Sequence, residues 1–189
     1  MILSDKDIKR YIDKGSISIN PQPEIEGSSV DLTLADKFKR VVPNAPEVPE
    51  HEESTYIDPK YQQNIVNISL DDDMTFMIHP GEMILAATNE YIKIDGTVSA
   101  FVQGRSSYAR MGLAIEIAGY VDSGFEGTIT LEMVNTSKYP IKLYPGEKIC
   151  QIIFMPMSSE PDVPYNKKKS AKYMGQIDPE ESRIVDELK

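Results

Sequence analysis

A turn signal that occurs twice limits the folds open to this chain. Pro80-Gly81-Glu82-Met83-Ile84-Leu85 and Pro145-Gly146-Glu147-Lys148-Ile149-Cys150 each set a Pro-Gly pair directly before an apolar, strand-like run. Proline presets one backbone angle of a turn and glycine admits the left-handed conformation that follows. Short runs of β-forming residues at Ser16 to Ile19, Val30 to Leu34, Tyr91 to Ile94, Val98 to Val102, Ala114 to Ile117, Thr128 to Asn135 and Ile141 to Leu143 extend the pattern. Hairpins recurring at this density describe a mainly β domain, a compact distorted barrel or jelly roll with few helices. One helix is expected over residues 4–14: Ser4 and Asp7 form a capping-box-like start, Ile8, Tyr11 and Ile12 an apolar stripe, and Gly15 a stop.

Composition bounds the function. With 189 residues, 40% hydrophobic and 26% charged, one globular domain over 1–189 is expected. No apolar run approaches about 18 residues, which excludes a helical membrane span. Asp5, Lys6, Asp7, Lys9 and Arg10 interrupt the N-terminus where a secretory signal would be apolar. A single cysteine allows no intramolecular disulfide and fits a reducing cytoplasm. The net charge of −10 argues against broad nucleic-acid binding, and any polyanionic substrate would have to meet local basic groups and a divalent cation. Residues 43–66, with prolines at 43, 46, 49 and 59 and the run Glu50-His51-Glu52-Glu53, read as an exposed excursion ending in a short strand. The nine methionines read as core filler.

The chemistry is concentrated between Gly104 and Asn135. Gly104-Arg105-Ser106-Ser107 places a guanidinium and two hydroxyls before a short helical turn, Tyr108 to Met111. Such a set suits a polyphosphate, although no Gly-Lys-Ser/Thr follows to make a P-loop; a Ser-capped turn with a surface Arg is the alternative. In Ala118-Gly119-Tyr120-Val121-Asp122-Ser123-Gly124-Phe125-Glu126-Gly127, three glycines bracket one Asp. They allow the backbone to curl around a small flat ligand, with Asp122 on a sugar hydroxyl or a water; otherwise Asp122 closes an Asx turn. In the strand that follows, Thr128, Thr130, Glu132 and Val134 share one face, while Ile129, Leu131 and Met133 share the apolar other. Glu132 either carries chemistry or points to solvent.

These segments together resemble the dCTP deaminase family, which is similar in fold to the trimeric dUTPases. The resemblance rests on GRSS-x-x-R, AG-x-x-D-x-G-F-x-G and T-L-E, with Met1-Ile2-Leu3-Ser4-Asp5 and Gly27-Ser28-Ser29-Val30-Asp31-Leu32 before them and Tyr165 and Lys172-Tyr173-Met174-Gly175-Gln176 after. It implies Glu132 as catalytic acid/base with Ser106 and Arg110 beside it. It further implies phosphate contacts from Arg105, Ser106 and Ser107, Asp122 at the deoxyribose, the Thr130-Leu131 backbone against the pyrimidine and Gln151 at a nucleotide contact. Residues 164–189 become a lid over the triphosphate, carrying Tyr165, Lys172 and Gln176. Without the resemblance, Lys167-Lys168-Lys169 would be a solvated basic tail. The resemblance also implies a homotrimer with sites at subunit interfaces and possible inhibition by dTTP.

One departure divides the family. Its monofunctional members carry a His-Val-Thr-Ala-like run before the Asp loop, where this chain has Ile115-Glu116-Ile117-Ala118-Gly119 and is one residue shorter. The shorter form is similar to dUTPases and to a bifunctional subgroup that deaminates dCTP and releases dUMP. Three hypotheses follow: a dCTP deaminase, with the bifunctional form favoured over the monofunctional; a dUTPase, against which Glu132 speaks; and a non-catalytic nucleotide-binding protein on the same scaffold. Zinc is not expected. Cys150 stands alone, and His51 and His79 lack the spacing of the H-x-E…P-C-x-x-C deaminases. Magnesium is expected on the substrate phosphates.

Overall fold

The computed structural model describes residues 1–42, 59–60, 64–71, 73–115 and 118–188. Helix α1 (Asp5–Asp13) is followed by strands β1 (Ile17–Asn20), β2 (Val30–Val42), β3 (Asn64–Ser69), β4 (Phe76–Ile78), β5 (Met83–Thr88), β6 (Tyr91–Ile94) and β7 (Val98–Gly104). A one-turn helix α2 (Ser106–Ala109) leads to β8 (Leu113–Ile115), β9 (Tyr120–Val121), β10 (Glu126–Gly127), β11 (Thr130–Asn135), β12 (Ile141–Leu143) and β13 (Lys148–Pro156). The mainly β expectation holds, with the N-terminal helix in place: Ser4 Oγ accepts from the Asp7 N–H and Ile8 is fully buried.

An eight-stranded sheet runs in the order β8-β11-β5-β2-β13-β7-β9, with β3 also on β2; β1-β6-β10 and β12-β4 form smaller sheets. The echoed turns have an architectural meaning. They launch β5 and β13, the two strands that flank β2. Gly81 and Gly146 both adopt positive φ, +74° and +85°. Their amides are anchored differently, Gly81 N–H on the Asn135 carbonyl and Gly146 N–H on the Leu34 carbonyl. Val30, Leu32, Leu34 and Phe38 of β2 run through the middle of the core, where Phe38 stacks on Phe76 at 4.4 Å.

Several expectations are corrected. Strand β2 does not stop at Leu34 but reaches Val42, because it takes β13, β5 and β3 as partners in turn, with a register shift against β5 between Leu34 and Phe38. Its charges at Asp36, Lys37, Lys39 and Arg40 hide that continuity from a hydrophobic pattern. Helix α2 starts at Ser106 and not at Tyr108, which puts both serines inside its single turn. The methionines are not core filler: among the nine only Met133 is buried, and Met1, Met74, Met77, Met83 and Met111 are exposed. Of the expected excursion, residues 43–58 and 61–63, including His51, lie outside the described residues, as do Glu116 and Ile117; the strand at its end is β3. No helix among the described residues is long and apolar enough to cross a membrane.

Candidate active site

Strand β11 alternates strictly: Leu131 and Met133 have no exposure and face the core, while Thr130, Glu132 and Val134 turn the other way. That second face does not meet open solvent. It lines a cavity of about 540 Å³, shared with Met83 and Leu85 of β5, the Gly119 to Asp122 segment, Phe125, Ile129 and the C-terminal segment. The volume lies within the range of small-molecule sites. Glu132 is half-buried, and its Oε2 is buried with no hydrogen-bond partner among the described residues. An unsatisfied buried carboxylate oxygen costs about 1–3 kcal/mol or more, and native folds rarely keep one without a use. β5 pairs along Thr130 to Val134, and the described part of β8 along Met133 to Asn135.

Asp122 reaches the same cavity from the loop after β9. Its loop is closed by a backbone bond, the Phe125 N–H donating to the Asp122 carbonyl at 3.1 Å. The carboxylate is not spent on an Asx turn and is exposed on the cavity wall. The loop glycines serve a different purpose from the one expected. A Cβ on Gly124 (φ +83°) would come within 3.0 Å of Pro164 Cβ, and one on Gly127 (φ +151°) within 3.1 Å of the Gln176 side chain and carbonyl. Both glycines therefore make room for the chain's own C-terminal segment. That segment lies across the cavity. Tyr165 N–H donates to the Ser123 carbonyl at 2.8 Å, Gly175 N–H to Glu126 at 2.7 Å, and Glu180 N–H to Thr130 Oγ1 at 3.1 Å. Gln176 is buried, its Oε1 without a partner among the described residues, like the Glu132 oxygen.

The cavity thus gathers Asp122, Thr130, Glu132, Tyr165 and Gln176 of the expected set. The others stand elsewhere. Ser106, Ser107 and Arg110 are exposed on or next to α2, and no lining residue is Lys or Arg. Neither serine caps the helix through its side chain. Arg105 is half-buried: its Nη1 donates to the Lys148 carbonyl at 3.3 Å and its Nη2 lies 3.6 Å from the buried Asp31 carboxylate, which Lys148 Nζ approaches to 3.4 Å. Gln151, directly opposite Asp31 in the β2–β13 ladder, accepts from Ser29 Oγ at 3.5 Å. Tyr108 OH donates to Glu147 at 2.7 Å and fixes α2 to this corner; burial and that hydrogen bond push the phenol up to about 12. Lys172 is engaged with Glu187 at 2.5 Å.

Sequence reasoning missed Leu85, Tyr173, Glu180 and Glu181 on the wall. Tyr173 had a signal, since it stands inside the Lys172-to-Gln176 motif. Glu181 had none: it pairs with Lys39, 142 positions away. The carboxylates of Asp122, Glu132, Glu180 and Glu181 make the wall acidic. Among the described residues no three His, Cys, Asp or Glu side chains are grouped to hold a metal ion. The exposed Asp122 carboxylate is an oxygen donor of the kind that magnesium and its bound waters use.

Residues 2–157 match the dCTP deaminase-like family model. The chain belongs to the dCTP deaminase-like family. It is 43% identical to the dUMP-forming dCTP deaminase of Methanosphaera stadtmanae, over 99% of this chain and 95% of that protein. It is also 43% identical to the protein of that name from Methanothermobacter thermautotrophicus, over 98% and 95%. Among solved structures, the 2'-deoxycytidine 5'-triphosphate deaminase of Agrobacterium tumefaciens superposes with a TM-score of 0.60 at 20% identity, covering 81% of this chain and 47% of that one, so the chain spans about half its length. A dUTPase mutant from phage phi11 of S. aureus, whose structure shows a structural Mg(II) ion, superposes at 0.51 with 14% identity, covering 78% and 94%. These two likenesses establish the fold, the β architecture expected from the dUTPase resemblance.

Proposed function

We propose that this family member deaminates dCTP at cytosine C4 and hydrolyses the triphosphate, yielding dUMP, ammonia and pyrophosphate in the cytoplasm. The observation that carries the reading is the buried Oε2 of Glu132 inside the cavity, which has no hydrogen-bond partner among the described residues. The name shared by the curated relatives and the shortened loop before Asp122 support the coupled form over a deaminase that stops at dUTP.

The pyrimidine lies against Leu85, Phe125 and Ile129 and along the Thr130-Leu131 backbone. Water adds to C4, giving its proton to Glu132; N3 gains a proton, and the tetrahedral centre expels ammonia as the C–N bond breaks. Glu132 holds and returns the proton in this cycle, which needs no zinc. For the second half, Asp122 orients a water in line with the α-phosphorus, and the bond to the bridging oxygen breaks to release pyrophosphate. Magnesium, when bound, spreads the phosphate charge.

A wall whose charged groups are all acidic cannot hold a triphosphate alone. The cations and hydroxyls of Arg105, Ser106, Ser107 and Arg110, with Gln151 behind them, complete the site from a second copy in a homotrimer, where Ser106 and Arg110 meet Glu132. Tyr165, Lys172 and Gln176 close the site, and dTTP competes for it. Incubation with dCTP and Mg²⁺, with ammonia, pyrophosphate and nucleotides assayed together, tests the reading. Wild type yields all three products, and Glu132→Gln loses ammonia release by about 10²–10⁴-fold. Accumulation of dUTP without pyrophosphate overturns the coupling; absence of ammonia overturns deamination.

A further inference from the structure

Lys39 and Glu132 lie in one row of the large sheet. In β2 Lys39 is directly opposite Leu85 of β5, and Leu85 is directly opposite Glu132 of β11. Residues directly opposed in antiparallel strands project to the same face, so all three side chains leave the sheet on the cavity side. Two inter-strand spacings put Lys39 roughly 10 Å from Glu132. Lys37, two residues earlier, shares that face. These cations have no place in the motifs of the sequence, and neither lines the cavity.

They hold the C-terminal segment. Lys39 Nζ donates to Glu181, whose residue lines the cavity, and Lys37 Nζ donates to Asp178 at 2.7 Å. The two pairs differ in burial. The Lys39 and Glu181 side chains are only 18% and 23% exposed, against 46% and 50% for Lys37 and Asp178. An exposed pair contributes little, whereas a shielded one is less screened by water and salt. Between the two anchors, Pro179 is buried and the Glu180 N–H reaches Thr130 Oγ1, two residues from Glu132. Beyond them Arg183 N–H donates to Tyr173 OH and Lys172 pairs with Glu187, closing the segment into a hook. A cavity of about 540 Å³ remains under the docked segment. The docked form is thus open enough for a nucleotide.

We infer that Lys39 is a positioning residue: through Glu181 it latches the acidic C-terminal hook, residues 178–187, onto the chain's own cavity in the form that receives substrate. The latch also neutralises a carboxylate that would otherwise face an incoming polyanion. Its effect on substrate rests on the nucleotide reading of the cavity; its effect on the segment does not.

The test uses the full-length protein with Lys39→Met, Glu181→Lys, and the charge-exchanged pair Lys39→Glu with Glu181→Lys. Two readouts are taken: the rate of tryptic cleavage after Lys172 and Arg183, followed by intact mass, and KM and kcat for dCTP. A lost shielded ion pair raises the open population, and with it the cleavage rate, by about fivefold. KM rises by a similar factor with kcat within about twofold, and the exchanged pair restores both. Unchanged cleavage in Lys39→Met, or no recovery in the exchanged pair, overturns the latch. So does a collapse of kcat with cleavage unchanged, which would put Lys39 on the reacting groups. If no variant turns over dCTP, the nucleotide reading has failed while the cleavage rates still decide the latch.

Discussion

Thr128 and Gln176 bond to each other in both directions. The Thr128 N–H donates to the Gln176 carbonyl at 2.9 Å, and Gln176 Nε2 donates to the Thr128 carbonyl at 2.6 Å. Beside them Gly127 and Gln176 form a parallel bridge. The residues that lead into the strand carrying Glu132 are therefore held by the C-terminal segment, and the positions of the two are set together.

Gly127→Ala should undo that contact. The new Cβ would meet Gln176 at 3.1 Å, and φ is +151°, so both crowding and backbone strain oppose alanine. The expected cost is about 1–3 kcal/mol, taken largely by undocking of residues 164–188. Hydrogen exchange should show Gly175 and Gln176 amides losing protection while β2 and β13 keep theirs. Equal protection throughout would show that the segment does not depend on the glycine.

Asp122→Asn should separate the two halves of the proposed reaction. Asp122 is exposed and makes its turn with its backbone, so the amide leaves the loop intact. Ammonia release should stay within a few-fold of wild type while pyrophosphate release falls by about 10²-fold or more, and dUTP should accumulate. Equal loss of both products would mean that Asp122 positions the substrate and does not act in hydrolysis alone.

Asn135 is predicted to be a stability residue without a chemical role. It has no exposure; its Nδ2 donates to the Ile78 and Tyr139 carbonyls at 3.0 and 2.8 Å, and its Oδ1 accepts from the Ser137 N–H and Oγ at 2.9 and 2.7 Å. Asn135→Ala leaves those partners unsatisfied at a cost of about 2–4 kcal/mol. Thermal unfolding should shift down by roughly 5–10 °C. Activity per folded molecule at low temperature should be unaltered.

Tyr108 gives a pH signature for the anchoring of α2. Burial first, and then its hydrogen bond to Glu147, raise the phenol to about 12. The folded value exceeds the ordinary value of about 10, so its contribution to stability is complete below that pH and is lost as pH rises through the folded value. In an ultraviolet titration, Tyr108→Phe should remove phenolate amplitude near pH 12. Loss of amplitude near 10 instead would mean that α2 is not held by this contact.

Patterns that repeat within a few residues were legible without coordinates. The caps of α1, the alternation of β11 and the two Pro-Gly turns all act between near neighbours, and local sterics and hydrogen bonding decide them. The motif around Glu132, Asp122 and Gln176 was equally legible, and these three residues do share a cavity. Less legible was anything needing a distant partner. The extension of β2 to Val42 depends on β3 and β5, which its charged residues do not announce. The roles of Gly124 and Gly127 looked like ligand clearance until Pro164 and Gln176 filled the space.

The sequence by itself determined a β-rich domain with an N-terminal helix and the identity of its candidate site residues, because turn geometry, side-chain alternation and side-chain chemistry belong to each residue and its nearest neighbours. Tertiary structure alone decided which of these groups meet. It buried one oxygen of Glu132 with no partner among the described residues, left the charged groups of the cavity wall acidic, set Arg105 beside Asp31, and brought Lys39 and Glu181 together. Such contacts depend on strand order, register and the path of the C-terminal segment, which bring together residues as far as 142 positions apart, and no local preference of either residue encodes that distance.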